Sequence, residues 1–259
     1  MKMSKTRVMK MLFAVIAIVF TANMTTAQTK KQKPNKKKIL FVVTSHDKKG
    51  DTGEPTGYYL GEVSHPWEVL KNAGYEIDFV SPRGGKAPVD GFDLKDKVNA
   101  EFWNDKIYRN KVEHTKKPSQ VNPNEYQAIH FAGGHGAMWD FADNEAIAAI
   151  ASKIYENGGV VSAVCHGPAG LVNIKLSNGQ YLVDGKKVNG FTDEEEVAVK
   201  LDKVVPFLLE DKLKERGAIF EKSGLWQVHV VTDQRLVTGQ NPQSAKAVGE
   251  AVLAELKKH

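Results

Sequence analysis

Cys165 is the only cysteine of the chain, and it lies in the stretch VVSAVCHGPA at residues 160–169. A short apolar run that passes into a cysteine and then small residues is typical of a strand-to-helix elbow, which exposes a nucleophile at a sharp turn. The positive end of the following helix would lower the thiol pKa and favour the thiolate. The sequence therefore predicts a nucleophilic Cys165. The alternative is a small buried hydrophobe.

Groups beside this elbow are suited to proton transfer and to binding an oxyanion. His166 is a candidate proton carrier, and its backbone N–H is a candidate oxyanion donor; the alternative is a histidine that only packs. The glycine-rich turn at residues 133–136 lets the backbone of Gly134 and His135 approach a developing negative charge. Gly167 leaves room next to the cysteine. We expect these residues to bind the substrate.

Carboxylates that act with the cysteine are predicted at two places. Glu62 follows the first predicted strand; if it faces the sheet edge, burial raises its pKa and lets it share a proton with the thiol. The alternative is a solvated helix glutamate. The acidic run at residues 193–196 reads as a solvated face or a helix start, and one of its members could orient His166 as the third group of a triad. The histidines lack the spacing of a zinc site, so no metal is predicted.

The elements that must position these groups alternate between strands and helices. This order predicts an α/β fold with a doubly wound, mostly parallel sheet, and ligands bind such sheets at the carboxyl ends of the strands. Residues 86–124 read as a polar insertion with helical pieces and residues 179–190 as a short hairpin. We predict strands at residues 38–44, 75–80, 126–132, 160–164, 228–232 and 235–239, and helices at 58–73, 144–156, 204–216 and 241–257.

The N-terminal residues differ in composition from the rest of the 259-residue chain. Residues 1–27 hold a basic start, an apolar run at 11–20 and small residues up to Ala27, which predicts a cleaved signal peptide and export to the periplasm. A membrane anchor is the alternative, but the run is about half of the roughly 20 residues that span a bilayer. A Lys-rich linker follows at 28–37, and one α/β domain at 38–259.

The basic charge of the whole chain comes mainly from these N-terminal segments. The net charge is +5, and residues 1–27 carry four positive and no negative side chains, so removing them leaves +1. The charge therefore gives no indication of nucleic-acid binding. In an oxidising compartment a lone cysteine has no partner within its own chain, which favours a reactive thiol.

Five motifs together resemble the ThiJ/PfpI superfamily, which has the class I glutamine amidotransferase-like fold. The similarity is greatest to its glutathione-independent glyoxalase branch, whose members are also described as heat-shock chaperones, and it covers residues 38–257. The motifs are AVCHGPA at 163–169, the segment from TG at 56–57 through Glu62 to HP at 65–66, AGGHG at 132–136, GFTD at 190–193 and LVTGQNPQSA at 236–245.

The resemblance implies a flavodoxin-like single domain and specific roles for its residues. Cys165 would be the nucleophile, His166 its partner, and Glu62 the carboxylate that touches the thiol. The third acidic residue best matches Glu196, with Asp193 as the second possibility. Gly134 and His166 would supply the backbone donors of the oxyanion site.

The implied activity is conversion of methylglyoxal, a small reactive aldehyde, to D-lactate through a hemithioacetal on the cysteine. It needs neither cofactor nor glutathione, and the family often forms homodimers. The predicted export signal differs from the pattern of this branch, since most of its members are cytoplasmic. Two alternatives remain: a cysteine amidase, peptidase or deglycase, and a stress chaperone whose thiol senses oxidants.

Overall fold

The computed structural model describes residues 37–258. The predicted signal peptide and nearly all of the predicted linker lie outside these residues. The strands are β1 (Lys38–Val42), β2 (Tyr58–Tyr59), β3 (Glu76–Val80), β4 (Val89–Asp90), β5 (Ala128–Phe131), β6 (Val160–Val164), β7 (Lys187–Val188), β8 (Ile219–Phe220), β9 (Val230–Asp233) and β10 (Leu236–Gly239). The α-helices are α1 (Leu60–Asn72), α2 (Lys97–Asn104), α3 (Lys106–Glu113), α4 (Ala137–Asp140), α5 (Glu145–Glu156), α6 (Asp193–Ala198), α7 (Leu209–Glu215) and α8 (Ala245–Leu256).

A six-stranded sheet forms the centre of this domain, in the order β3-β1-β5-β6-β10-β9. All neighbours are parallel except β9, which runs antiparallel to β10 at the edge. The central strands β5 and β6 are buried along their whole length. Unalternated apolar runs suit such strands because helices cover both faces of a parallel sheet. The flavodoxin-like, mostly parallel fold predicted from the sequence is therefore confirmed.

The connections place helices on opposite faces of the sheet. From β1 the chain passes through α1 to β3 on one side, whereas from β5 it passes through α5 to β6 on the other side. Because crossovers between parallel strands are right-handed, α1 and α5 lie on opposite faces. The connections after β1 and β5 therefore diverge, and a crevice opens between the carboxyl ends of these strands. Glu62, Gly134 and Cys165 all follow strands at this edge.

Several secondary-structure predictions were wrong in detail. Tyr58 and Tyr59, expected in the first helix, form β2, and a 3₁₀ turn at Pro242–Ser244 precedes α8 where the C-terminal helix was expected to begin. Residues 179–190 do not form a hairpin, since β7 pairs in parallel with the distant β8. Gly179 and Gly185 both have positive φ and lie in two separate tight turns, which prevents one hairpin from forming across the segment. The helix expected at 204–216 begins only at Leu209.

Other predictions hold within the described residues. The polar insertion contains α2 and α3, and the acidic run begins α6. No helix among residues 37–258 is both long and apolar enough to cross a membrane.

Candidate active site

Cys165 lies at a sharp elbow directly after β6. Its φ is +59°, in the left-handed region that side chains other than glycine rarely adopt. The backbone N–H of Cys165 donates to the carbonyl of Gly239 at 2.9 Å, and its carbonyl accepts from Phe191 N at 2.8 Å. These two hydrogen bonds hold the strained residue between neighbouring segments, so the predicted elbow is confirmed.

The segment after the elbow is tighter than the sequence suggested. A five-residue 3₁₀ helix, Gly167–Leu171, follows Cys165 where an α-helix was expected. A Cβ on Gly167 would lie 2.1 Å from the carbonyl oxygen of Phe131, so glycine permits the close approach to β5. Gly167 is not among the residues that line the cavity beside Cys165. Its position indicates a role in close packing, whereas the sequence suggested that it contacts the substrate.

The thiol, a histidine and a carboxylate are arranged in a row. His166 Nδ1 lies 3.3 Å from Cys165 Sγ, and His166 Nε2 lies 2.8 Å from Glu196 Oε2. The other carboxylate oxygen, Oε1, lies 2.9 Å from Nε2 of His135. An acid that holds the far nitrogen of a histidine fixes its orientation and tautomer. Among the two acidic candidates, Glu196 contacts His166, whereas the backbone N–H of Asp193 donates to Glu210.

The charges in this row follow from burial and from mutual contact. Burial lowers the pKa of His166 to about 4, with a further decrease from His135 that Glu196 only partly opposes. Burial would raise the pKa of Glu196, but His166 and His135 lower it to about 2. At neutral pH an ionised Glu196 therefore accepts the Nε2–H of a neutral His166. The lone pair on Nδ1 is left facing the sulfur.

Glu62 lies on the opposite side of the thiol, in the first turn of α1. Its Oε2 accepts the backbone N–H of Gly133 at 2.8 Å. Oε1 is buried and has no well-aligned partner among the described residues, although the thiol of Cys165 is within hydrogen-bonding reach. Burial raises the pKa of Glu62 to about 8, and the contacts with Cys165 and Gly133 offset only part of this. The expected raised pKa is confirmed.

The thiol itself differs from the sequence prediction. Burial raises the pKa of Cys165 well above its ordinary value, and the adjacent Glu62 raises it further. The backbone N–H groups of His166 and Gly134 act in the opposite direction and lower it. The resting thiol is therefore protonated at neutral pH, and it must lose its proton to a neighbour as it reacts.

Within the turn after β5, Gly133 and Gly134 have no room for a side chain. Gly134 has φ +94°, and a Cβ there would lie 2.3 Å from the carbonyl oxygen of Gly57. A Cβ on Gly133 would lie 2.5 Å from Glu62 Oε2. The N–H of Gly134 approaches Cys165, as expected for an oxyanion donor, whereas the N–H of Gly133 donates to Glu62, a contact that the sequence did not predict.

These residues face a cavity of about 620 Å³. Both apolar and polar side chains line it. The apolar lining residues are Phe191, Val199, Leu201, Val204, Trp226 and Pro242, and the charged and hydroxyl ones are Lys49, Thr52, Glu54, Tyr59, Asp90 and Lys200. Cys165, His166, His135, Gly134 and Glu62 all reach this cavity.

His135, His166 and Glu196 also offer the donor types that zinc binds, with one ligand atom from each within 4.8 Å of the others. Hydrogen bonds between the imidazoles and the carboxylate already explain this proximity. The prediction of a site without metal or cofactor stays a prediction.

Sequence reasoning missed several residues around the site, including the contact of His135 with Glu196. Glu195 is wholly buried, although it lies in a run expected to be solvated or to begin a helix. Thr192 and Glu195 form a reciprocal capping box, and the spacing of Thr192 and Glu195 was the available signal. Phe191 packs against His166 with ring centroids 4.2 Å apart, and Trp226 packs against Phe191. No local pattern indicated these contacts.

Comparison with known proteins identifies the family to which the chain belongs. The chain belongs to the DJ-1/PfpI family, whose pattern it matches over residues 56–255. A glutathione-independent glyoxalase of Saccharomyces cerevisiae is 37% identical over 236 residues, which cover 85% of this chain and 98% of the yeast protein. Glyoxalase 3 of Candida albicans is 35% identical, covering 84% of this chain and 97% of the relative.

Solved structures show the same likeness. The rapid encystment protein of Francisella tularensis is 42% identical with a TM-score of 0.82, covering 85% of this chain and 98% of that one. Glyoxalase III of Candida albicans is 34% identical with a TM-score of 0.77, covering 84% of this chain and 96% of that one. The homodimer implied by the resemblance stays a prediction.

Proposed function

We propose that this protein is a glutathione-independent glyoxalase that converts methylglyoxal and related 2-oxoaldehydes to 2-hydroxy acids, D-lactate in the case of methylglyoxal. The observation that carries the proposal is the position of the Cys165 thiol between two proton-transfer groups, His166 Nδ1 and the buried Glu62. The names of the relatives support it: the yeast protein is called a glutathione-independent glyoxalase and the Candida albicans protein glyoxalase 3, and each matches this chain over nearly its whole length.

The first step is addition of the thiol to the aldehyde carbon, C1. As the C–S bond forms, the thiol proton passes to His166 Nδ1, and Glu196 stabilises the imidazolium. Glu62, protonated at neutral pH, gives its proton to the aldehyde oxygen, while the N–H groups of Gly134 and His166 stabilise the developing charge. The product is a hemithioacetal, and Glu62 is left ionised.

The next steps move hydrogen between the two substrate carbons. Ionised Glu62 removes the proton from C1 to form an enediol and returns it to C2, and the hydroxyl protons exchange through His166. C1 is thereby oxidised to a thioester while C2 is reduced to an alcohol, so no external redox partner is needed. Water then attacks the thioester, releasing the 2-hydroxy acid and restoring the thiol.

The test is a D-lactate assay on the purified protein with methylglyoxal and without glutathione. We expect lactate from the wild type and none above background from Cys165→Ala. A Cys165→Ala variant with full activity would contradict the mechanism. Release of amine from amides or glycated peptides without lactate from methylglyoxal would instead support a hydrolase or deglycase.

Aggregation assays separate the remaining class of function. Suppression of client aggregation by both the wild type and Cys165→Ala, without lactate formation, would support a chaperone that does not use the thiol catalytically. Oxidation of the Cys165 thiol to sulfinic acid by low peroxide would extend that interpretation to redox sensing.

We also propose that the protein is exported to the periplasm after cleavage following Ala27. The basic start, the apolar run at residues 11–20 and the small residues before Gln28 support this. N-terminal sequencing of the protein recovered from the periplasmic fraction should begin at Gln28. Recovery of the chain with Met1 intact from the cytoplasm would overturn the proposal.

A further inference from the structure

Trp226 has a strained backbone at the mouth of the cavity. Its φ is +59°, a conformation that costs free energy for any L-residue with a bulky side chain. The side chain is 38% exposed, so burial of the indole does not fully compensate for this cost. Strain of this kind persists only where the surroundings enforce it, and it is common at ligand-binding sites.

The group that enforces this conformation is the buried carboxylate of Glu195. Its Oε1 accepts three hydrogen bonds, from the backbone N–H of Trp226 at 3.0 Å, from Gln240 Nε2 at 3.1 Å and from Asn241 Nδ2 at 2.9 Å. Its Oε2 accepts the N–H and the hydroxyl of Thr192 at 3.1 and 3.2 Å. No cation lies within 4.0 Å of it among the described residues.

The loop that carries Trp226 is fixed by the same residues at its other positions. Gln240 Oε1 accepts the backbone N–H of Ser223 at 2.8 Å, and Asn241 Nδ2 donates to the carbonyl of Gln227 at 2.9 Å. Gln240 and Asn241 belong to the motif at residues 236–245, which has no role in the proposed chemistry. Its structural consequence is to fix the loop at residues 223–227, whose Trp226 lines the cavity.

The aromatic rings form a row that leads away from the nucleophile. Phe191 packs on His166 at 4.2 Å between ring centroids, and Trp226 packs on Phe191 at 5.7 Å. A cavity of about 620 Å³ falls in the range of ~300–1,000 Å³ that holds drug-sized ligands. It is much larger than a three-carbon dicarbonyl needs, and Phe191 and Trp226, which pack on each other, both line it.

We propose that Trp226 is a specificity-determining residue, held in place by Glu195, that forms an apolar wall for the substituent on the ketone carbon of the substrate. This inference rests on the proposed glyoxalase function and refines its substrate class. The site favours 2-oxoaldehydes with an aromatic or bulky apolar substituent over methylglyoxal, because only a large substituent on C2 extends past Phe191 to the indole.

The first test compares turnover of phenylglyoxal to mandelate with turnover of methylglyoxal to lactate. In Trp226→Ala, kcat/KM for phenylglyoxal should fall roughly fivefold to twentyfold, as expected for the loss of an aromatic contact and its buried area. The value for methylglyoxal should change less than about twofold, because the methyl group does not contact this wall. Leu225→Ala, which truncates the neighbouring exposed side chain outside the cavity, is the control and should leave both values unchanged.

Trp226→Gly distinguishes the loss of the indole contact from the relief of backbone strain at residue 226. Glycine adopts positive φ readily, so this variant should be at least as stable to urea as Trp226→Ala while showing the same loss towards phenylglyoxal. Glu195→Gln keeps the shape but places an amide N–H₂ against donors. It should raise KM for phenylglyoxal several-fold more than for methylglyoxal. An equal loss for both substrates in the Trp226 variants, or no loss, would overturn the proposal.

A turnover-independent readout keeps this inference distinct from the proposed function. Bromoacetone and 2-bromoacetophenone both alkylate a thiol, which forms a C–S bond and releases bromide, and they differ in the methyl or phenyl group on the ketone. The phenyl-to-methyl ratio of Cys165 labelling rates should fall in Trp226→Ala. A lower ratio without any wild-type turnover would refute the glyoxalase function but support the wall. An unchanged ratio with active wild type would refute the wall alone.

Discussion

Glu62→Gln tests the central electrostatic feature of the site, which is a carboxyl group buried beside the thiol. The wholly buried Glu62 has a pKa of about 8 in the folded protein, against an ordinary value of 4.5. A group with a raised pKa in the folded state binds its proton more tightly there than in the unfolded chain. Its favourable contribution to stability is therefore complete below about pH 4.5 and is lost as the pH rises through about 8.

The size of the effect follows from this interval. Each pH unit between the two pKa values costs about 1.4 kcal/mol, which gives roughly 3 kcal/mol between pH 5 and pH 7 and about 5 kcal/mol over the whole range. Glutamine does not titrate and keeps an oxygen to accept the N–H of Gly133. Relative to the wild type, the free energy of unfolding of Glu62→Gln should therefore rise with pH across this range.

The measurement is urea unfolding of both proteins at several pH values from about 5 to 8. Other groups that titrate in this interval, such as Asp140 with a pKa raised to about 6 by burial, cancel in the difference between the two proteins. Glu68→Gln, which replaces a partly exposed carboxyl group on the same helix, is the matched control for the substitution itself. A constant gap between wild type and Glu62→Gln would refute the reasoning, since it would mean that Glu62 ionises as it does in water. The same variant should lose about 10²–10⁴ in kcat as the proton carrier disappears.

Three further perturbations test the geometry around the thiol. The free energy of unfolding of Cys165→Gly in urea should exceed that of Cys165→Ala by about 1 kcal/mol, because glycine adopts the positive φ at the elbow without strain. Equal stability of the two variants would show that the elbow is not strained. Glu196→Gln should lower kcat at least ~100-fold, because glutamine has one acceptor oxygen for two imidazoles and lacks the charge that stabilises the imidazolium, whereas Asp193→Asn should leave kcat within about twofold. Steady-state lactate assays would contradict this assignment if the two variants behaved alike. Gly134→Ala should cost more than about 2 kcal/mol in thermal or urea unfolding and abolish turnover, since its Cβ would lie 2.3 Å from a carbonyl oxygen; a stable, active variant would show that the turn can shift.

Local sequence determined much of the scaffold. The apolar runs at β1, β5 and β6 could be recognised because strands buried on both faces need no alternation. The elbow could be recognised because small residues must follow a nucleophile that turns sharply away from a strand. The glycines at 133–134 could be placed at the same edge because the carboxyl ends of parallel strands meet there. The hairpin failed because turn residues do not specify which distant strand an edge segment will pair with.

The electrostatics of the site depended on tertiary structure. Helix position alone suggested a lowered thiol pKa, but burial and Glu62, about a hundred residues away in sequence, raise it. Within the acidic run the sequence left Asp193 and Glu196 both possible as the partner of His166. They are distinguished only by the orientation of α6 in the folded protein, which brings the carboxylate of Glu196 to His166.

The contact between Trp226 and Glu195 is another feature that local sequence could not predict. Their contact joins a loop, a capping box and the residues that follow β10, which are three separate segments of the chain. A propensity acts over neighbouring residues, so it can place a cysteine at the end of a strand or a glycine in a turn. Desolvation, ion pairing and the support of a strained backbone depend on every group within a few ångströms, and packing of the whole chain determines which groups those are.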